Sequence, residues 1–237
     1  MQPFVSVVTP TYNRRKFIPS LIRMYESQTY SKTRMEWIIF DDGTDKVRDL
    51  FEDIIKRLPN IRYIENDDKL LIGQKRNKMN KEARGDIIVS MDDDDFYPPC
   101  RVAHVVMKFA QNPSVELAGS SEMYIYYDDT KKIYKLGPYG PTHATNGTMA
   151  WRKSYSNKHI YDETVTHAEE KSYLDNYINP MIQLDPMKVI LVVSHTDNTF
   201  DKKKIRDNPA YKHIKVTAYK LKQFIADKRL RDFFLNI

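Results

Sequence analysis

The segment Asp86-Ile87-Ile88-Val89-Ser90-Met91-Asp92-Asp93-Asp94-Asp95-Phe96-Tyr97-Pro98-Pro99 sets an apolar run directly against four adjacent carboxylates. Ile87 to Met91 has the β-branched and apolar make-up of a buried strand, and the acidic run stops it. Four neighbouring carboxylates repel one another, raise each other's pKa values and cost stability unless a cation or basic side chains compensate. Hard oxygen ligands at the carboxyl end of a strand suit Mg²⁺ or Mn²⁺ carrying substrate phosphates. In open α/β sheets the ligand crevice lies outside those strand ends. The bland alternative is an acidic loop that merely terminates a strand.

Upstream of this segment, strand-like and helix-like stretches alternate. Phe4 to Val8 is a short β-branched run ended by Pro10 and the turn-prone Asn13. From Lys16 to Gln28, the apolar residues Phe17, Leu21, Ile22, Met24 and Tyr25 recur at helical spacing. Glu36 to Phe40 is a second buried strand, stopped by Asp41-Asp42-Gly43-Thr44. A helix follows, with Val47, Leu50, Phe51, Ile54, Ile55 and Leu58 on one face, closed by Pro59-Asn60. Ile61 to Ile64 is a third strand, and Gly73 to Ala83 a basic helix. Such alternation with short connections implies right-handed βαβ crossovers and a mostly parallel sheet.

Downstream the pattern changes. Met123 to Leu136 predicts a hairpin, its aromatic strands joined by the polar turn Asp128-Asp129-Thr130-Lys131. Gly147 to Trp151 is a candidate strand, Glu169 to Tyr177 a helix and Val189 to Val193 a buried strand. Lys215 to Ile237 is an amphipathic basic helix or a pair of helices. With no internal repeat and no low-complexity linker, one domain over residues 1–237 is expected. Residues 1–100 are expected to form a nucleotide-binding half, 101–200 an elaborated acceptor half and 201–237 a closing loop and amphipathic helix.

Composition bounds the function without choosing it. The chain has 237 residues, 41% hydrophobic and 12% aromatic, as ordinary globular proteins do. Lys+Arg exceed Asp+Glu by 38 to 32, an excess that suits a polyanionic partner or simply solvates the surface. The single cysteine, Cys100, permits no internal disulfide. The amino-terminal run lacks the order of a signal peptide, and no stretch approaches the roughly 20 apolar residues of a membrane span. A soluble cytoplasmic protein is the expectation, with peripheral membrane contact through the terminal helix as an alternative to packing on its own domain or on another subunit.

Four motifs in order resemble glycosyltransferase family 2, inverting enzymes with the GT-A fold. They are Val7-Val8-Thr9-Pro10-Thr11-Tyr12-Asn13, Asp41-Asp42-Gly43-Thr44, the set Gly73, Arg76-Asn77 and Ala83-Arg84-Gly85-Asp86, and Met91 to Pro99. The resemblance implies a Rossmann-like sheet flanked by helices with a smaller antiparallel acceptor-side element. It implies a nucleotide-sugar donor site in which Pro10, Thr11 and Tyr12 border the base and Asp41, within the Asp41-Asp42 pair, accepts its imide N–H, favouring uracil or thymine. Arg76 would approach the base or diphosphate, Asp93 the ribose, and Asp94 a Mn²⁺ or Mg²⁺ ion with Asp92 in support. Asp95 would hold the turn.

In the same family a late Glu-Asp pair opens a helix and supplies the general base. Here Tyr161-Asp162-Glu163 precedes Ala168-Glu169-Glu170-Lys171, so Glu170 stands where the base is expected and Glu169 where the acceptor is held. The departure from Asp to Glu shifts the carboxylate by about one methylene. Two glutamates also simply favour a helix N-terminus. Trp151 is either a platform for an acceptor sugar ring or core. Asn146-Gly147-Thr148 spells a glycosylation sequon, read as chance. His195, after the late strand, is a candidate further metal ligand, and the loop Asn198 to Tyr211 is either a donor lid or a solvated connection.

The expected function is therefore metal-dependent inverting transfer of one sugar from a UDP- or dTDP-sugar to a hydroxyl of a glycan or glycoprotein. A sugar-nucleotide pyrophosphorylase fits less well, because Thr9 to Asn13 holds no glycine for a phosphate loop. A nucleotide- or glycan-binding module without chemistry is the non-enzymatic alternative. A nucleic-acid partner is not expected, since Lys and Arg are dispersed and no recognition motif occurs.

Overall fold

The computed structural model describes residues 2–58, 60–198 and 200–237. Met1, Thr199 and Pro59, the residue expected to close the second helix, lie outside that description. Strand β1 (Val5–Thr11) is buried along its length, and so is β2 (Met35–Asp41), as strands covered on both faces must be. Between them α1 (Ile18–Glu26) buries Ile18, Leu21, Met24 and Tyr25. The chain continues through α2 (Arg48–Arg57), β3 (Ile61–Glu65), α3 (Ile72–Glu82) and β4 (Ile87–Ser90). β1, β2, β3 and β4 pair in parallel, with Val5 beside both Met35 and Ile87. Their carboxyl ends, Thr11, Asp41 and Ser90, therefore share one edge of the sheet.

β1 does not end before Pro10, as its sequence suggests, but runs on to Thr11 with Pro10 opposite Phe40. Pairing with β4 stops at Val8 and Ser90, so the missing Pro10 N–H breaks no ladder bond on that side.

Beyond β4 come α4 (Arg101–Gln111), which the sequence pattern did not single out, β5 (Leu117–Gly119), β6 (Met123–Tyr127), β7 (Lys132–Leu136), β8 (Ala150–Arg152), α5 (Lys153–Ser156), α6 (Glu170–Tyr173) and β9 (Met181–Gln183). The main sheet has the order β3-β2-β1-β4-β8-β5-β9. It is mostly parallel; β8 alone runs against its neighbours β4 and β5. The predicted hairpin forms, with Met123 opposite Leu136. It belongs to a second sheet of order β10-β6-β7-β11, completed by β10 (Leu191–Ser194) and β11 (Ile214–Val216). Because β10 joins β6 in parallel, this smaller element is mixed rather than purely antiparallel.

Three expected elements are shorter than their patterns. Residues 146–148 form a 3₁₀ turn and the strand begins only at Ala150. The helix at Glu170 stops at Tyr173, because Asp175, Asn176 and Tyr177 take positive φ. The basic terminal stretch begins with β11, then breaks into α8 (Leu221–Phe224) and α9 (Lys228–Leu235), after the short α7 (Lys203–Arg206). Leu221, Ile225, Leu230 and Phe234 are buried in the main core, so this stretch packs on its own fold. Among the described residues no helix is long and apolar enough to cross a membrane.

Two features position the site. Phe96 and Leu191 exchange backbone hydrogen bonds of 3.0 and 2.8 Å, and Val193 N–H donates to Asp95 Oδ1 at 2.8 Å. These bonds staple β10 to the acidic run, so Asp95 ties two strands together rather than only its own turn. On the other side, α3 approaches residues 162–163 so closely that a Cβ at Gly73 would lie 2.0 Å from the Asp162 carbonyl oxygen.

Candidate active site

The acidic run is enclosed rather than splayed into solvent, and each carboxylate meets a different neighbourhood. Asp94 Oδ2 is faced by Asn198 Nδ2 at 3.2 Å, His195 Nε2 at 3.4 Å and Arg14 Nη2 at 3.5 Å. Burial opposes its ionisation, but His195, Lys202 and Arg14 together hold its carboxyl below the usual range. Asp93 is held well above that range by burial and by the Asp94 charge. Its Oδ2 and the Thr11 hydroxyl oxygen are both buried and meet no partner in good hydrogen-bonding geometry, although the Thr11 hydroxyl stands close enough to Asp93 to offset part of that rise. Burial pushes Asp95 up to about 7, with Asp94 adding to the shift against the pull of Lys202.

Asp92 turns the other way. Its Oδ1 lies 3.3 Å from both terminal nitrogens of Arg76, and Arg76 Nε donates to Glu169 Oε1 at 2.8 Å. Arg76 is therefore no solvated residue of a basic helix face; it is buried between two carboxylates from distant parts of the chain. With its amide turned to suit its neighbours, Asn146 accepts from Arg76 Nη1 at 2.7 Å and donates to the Tyr161 hydroxyl at 2.6 Å. That engagement, and its burial, removes Asn146 as a glycosylation acceptor. Beneath the run, Asp92 N–H donates to the Tyr97 hydroxyl at 2.8 Å, and the fully buried Arg101 supplies a further positive charge.

Glu169 and Glu170 are placed differently. Glu169 is buried on Arg76, whereas Glu170 is half-buried. Burial and the Glu169 charge push Glu170 up to about 7, against the pull of Arg76. A carboxylate poised there is matched to proton abstraction near neutral pH.

The expected base-binding residues divide. Asp41 is fully buried, and its oxygens already accept from Gly43 N–H (2.8 Å), Val47 N–H (3.1 Å) and the Tyr63 hydroxyl. It fixes the loop after β2, and its full burial leaves no oxygen exposed to an imide in this structure. Asp42 is likewise taken, by Leu70 N–H at 2.7 Å and by Lys75. Tyr12 is half-buried, with the Lys69 and Lys75 ammonium groups 4.4 and 5.4 Å from its ring centre. Pro10 and Thr11 are buried at the end of β1. Trp151, 1% exposed, offers no platform to a sugar. It packs among Tyr161 and Tyr173 and donates to Asn80 Oδ1 at 3.1 Å.

Among the described residues no three His, Cys, Asp or Glu side chains converge to hold a metal ion. Asp94, Asp92 and His195 are thus not a joint ligand set, since Asp92 is drawn to Arg76. Asp94 with His195 still fits a cation that takes its other ligands from phosphate and water. Asp94 Oδ2 is the oxygen on which donors from two segments converge, Arg14 after β1 and His195 with Asn198 after β10, and the orphaned Asp93 Oδ2 lies in the same run. His195 Nδ1 accepts from Asp197 N–H at 3.2 Å, so the Nε2 lone pair becomes available only once that turn shifts.

The description "Glycosyl transferase family 2" belongs to the family pattern that matches residues 6–168. The chain belongs to this family. Curated relatives include the putative teichuronic acid biosynthesis glycosyltransferase TuaG of Bacillus subtilis, 34% identical over 98 residues, which are 40% of this chain and 37% of TuaG. The poly(ribitol-phosphate) β-N-acetylglucosaminyltransferase TarS of Staphylococcus aureus is 31% identical over 93 residues, 38% of this chain and 16% of TarS. The chain thus spans well under half the length of these relatives.

Two solved structures share the fold. A Pyrobaculum calidifontis mannosyltransferase in complex with GDP-Man and Mn²⁺ superposes with TM-score 0.68 at 16% identity, over 87% of this chain and 61% of that one. S. aureus TarS in complex with UDP-GlcNAc superposes with TM-score 0.63 at 19% identity, over 82% and 60%. The α/β architecture is that of the GT-A fold.

Within this family 2 chain several site residues escaped the sequence reading. Arg14 follows the Pro10 to Asn13 motif directly, which is the one signal that marked it. Arg101 carries no motif, while Asn198 and Lys202 lie in the loop read as either a donor lid or a solvated connection, and only the tertiary fold brings all three to the run. Arg76→Met tests the buried bridge, because it leaves Asp92 and Glu169 enclosed and unpaired. Breaking such a pair costs about 3–5 kcal/mol, so the urea midpoint should fall markedly; an unchanged midpoint would show that the guanidinium compensates neither carboxylate.

Proposed function

We propose that this family 2 chain transfers a sugar from a nucleoside diphosphate sugar to an acceptor hydroxyl, with inversion at the anomeric carbon. The observation that carries the proposal is the Arg76 bridge. One guanidinium touches both Asp92 of the acidic run and Glu169 of the Glu pair, so a diphosphate at the run lies close to a base at Glu170.

In this reading Asp94 holds the divalent ion, with His195 Nε2 joining once the Asp197 turn shifts. Bound there, Mn²⁺ or Mg²⁺ supplies charge neutralisation for the departing diphosphate. Arg14, only loosely paired with Asp93 and Asp94 at 3.8 and 3.5 Å, exchanges its carboxylates for phosphate oxygens as the donor enters. Asp93 Oδ2 and the Thr11 hydroxyl, which neighbour each other without a well-formed hydrogen bond, accept from and donate to the ribose hydroxyls. Arg76 fixes Glu169 in place through its Nε–H bond. Glu170 takes the proton from the acceptor oxygen as that oxygen bonds to the anomeric carbon and the glycosidic bond to diphosphate breaks.

The uridine preference no longer rests on Asp41, which is fully buried and engaged with its own loop. It rests on likeness to TarS, a relative solved with UDP-GlcNAc, while the mannosyltransferase was solved with a guanosine donor. A panel of UDP-, dTDP- and GDP-sugars, read as released nucleoside diphosphate, tests both choices. Turnover of a UDP-sugar that vanishes with EDTA and returns with Mn²⁺ is expected. Turnover that persists in EDTA would remove the metal from the proposal.

A further inference from the structure

Asp175, Asn176 and Tyr177 have φ of 48°, 55° and 65°, three consecutive non-glycine residues in the left-handed region where L-residues are strained. The strain falls at the end of α6, the helix that begins with Glu170. Asn176 N–H bonds the Lys171 carbonyl and Tyr177 N–H the Leu174 carbonyl, each at 2.9 Å, so the chain folds back over the helix it has just left. This turn brings the half-buried Tyr177 ring flat against His143, with centroids 4.7 Å apart and planes at 21°. His143 meets Tyr139 on a further ring contact of 4.7 Å, and the Tyr139 hydroxyl bonds that of Tyr211. A row of rings thus leads from the loop after β7 to the end of α6.

We propose that the Tyr177 ring, backed by His143, is the wall on which a neutral pyranose of the acceptor packs its C–H face, bringing a hydroxyl to Glu170. The proposal rests on the reading of Glu170 as the base. An amphipathic ring suits a sugar, which is apolar on one face and polar at its rim. Burial, and next the Glu170 and Glu169 charges, hold the Tyr177 phenol above its ordinary value, so its hydroxyl stands in the field of the proposed base. Burial lowers the His143 imidazole, leaving the backing ring uncharged near neutral pH. Lys171, Asp175 and Asn176 are exposed beside Tyr177 and offer polar contacts to the sugar rim. The wall takes the acceptor role that Trp151, enclosed in the core, does not fill.

Saturation-transfer NMR on the full chain with UDP and Mn²⁺ tests the wall, using the methyl glycosides of glucose, galactose, mannose and N-acetylglucosamine as probes. Wild type and Tyr177→Phe should bind at least one glycoside alike, and Tyr177→Leu about tenfold more weakly, the scale of a lost ring contact. The melting temperature and UDP affinity should be unchanged in both variants, which keeps collapse of the turn distinct from loss of the ring. Equal glycoside affinity in Tyr177→Leu, or no glycoside bound by wild type, overturns the proposal. Loss of UDP affinity together with glycoside affinity in Tyr177→Leu also overturns it, since the residue would then be structural. Wild-type failure to hydrolyse any nucleotide sugar, with Tyr177-dependent glycoside binding intact, would leave the wall standing and defeat the transfer reading instead.

Discussion

Asp94→Asn should lower metal-dependent donor turnover about 10²–10³-fold, the scale on which loss of one preorganised electrostatic contact acts. The amide keeps the shape of the carboxylate and can still accept from Asn198 and His195, so the fold should survive with a near-normal melting temperature. What it loses is the negative oxygen on which Arg14, His195 and Asn198 converge. The Mn²⁺ dependence of nucleotide binding should disappear with it. Measured by calorimetry with UDP, an unaltered Mn²⁺ requirement in the variant would move the metal to another carboxylate of the run.

Glu170→Gln should leave donor affinity intact and lower transfer about 10²–10⁴-fold, the usual contribution of a positioned base. The pH profile gives the same residue a second signature. Glu170 is raised from 4.5 to about 7 by burial and by Glu169, so below that pH it holds its proton and cannot act as a base. The wild-type kcat/KM should therefore climb with pH and level off above about 7, and this limb should vanish in Glu170→Gln. The stability linkage has the opposite sense. Between 4.5 and about 7 the folded chain keeps a proton that the unfolded chain has released, so Glu170 stabilises the fold at the acidic end and loses that contribution as pH rises. Glu170→Gln should flatten that part of the stability curve. A variant with near-normal turnover would shift the role of base to Glu169, whose Arg76 bond would have to open, or to Asp162.

The first hundred residues were largely legible in the sequence because their signals are local. Buried parallel strands appear as continuous apolar runs, and the carboxylates at the end of β4 are contiguous in the chain. The hairpin at Met123 to Leu136 was equally plain, since its pairing is between near neighbours. What escaped depends on contacts between distant segments. Arg76 is assigned by its motif to the base or diphosphate, but its enclosure between Asp92 and Glu169 shows in no local pattern. Asp41 carries the right side chain at the right strand end, but it is fully buried and tied to Tyr63 and the Val47 N–H of its own loop. Trp151 lies in a short strand between β4 and β5, and that central place in the sheet, absent from any local pattern, makes it core. The helix at Glu169 had the periodicity to reach Tyr177 but breaks early into left-handed backbone. Arg101 and Lys202 answer the acidic run from α4 and from the segment after β10, two elements that no motif connects.

In the proposed reaction the acidic run holds the diphosphate through a cation on Asp94, within reach of the Glu pair. A crystal of the chain grown with UDP and Mn²⁺, with anomalous scattering measured to locate the ion, checks this arrangement. One strong peak is expected within coordination distance of Asp94 Oδ2, with diphosphate oxygens in its shell, Arg14 turned onto phosphate and Glu170 open toward the sugar side. An ion and diphosphate bound away from Asp94, or a nucleotide held with no ion at the run, would contradict it.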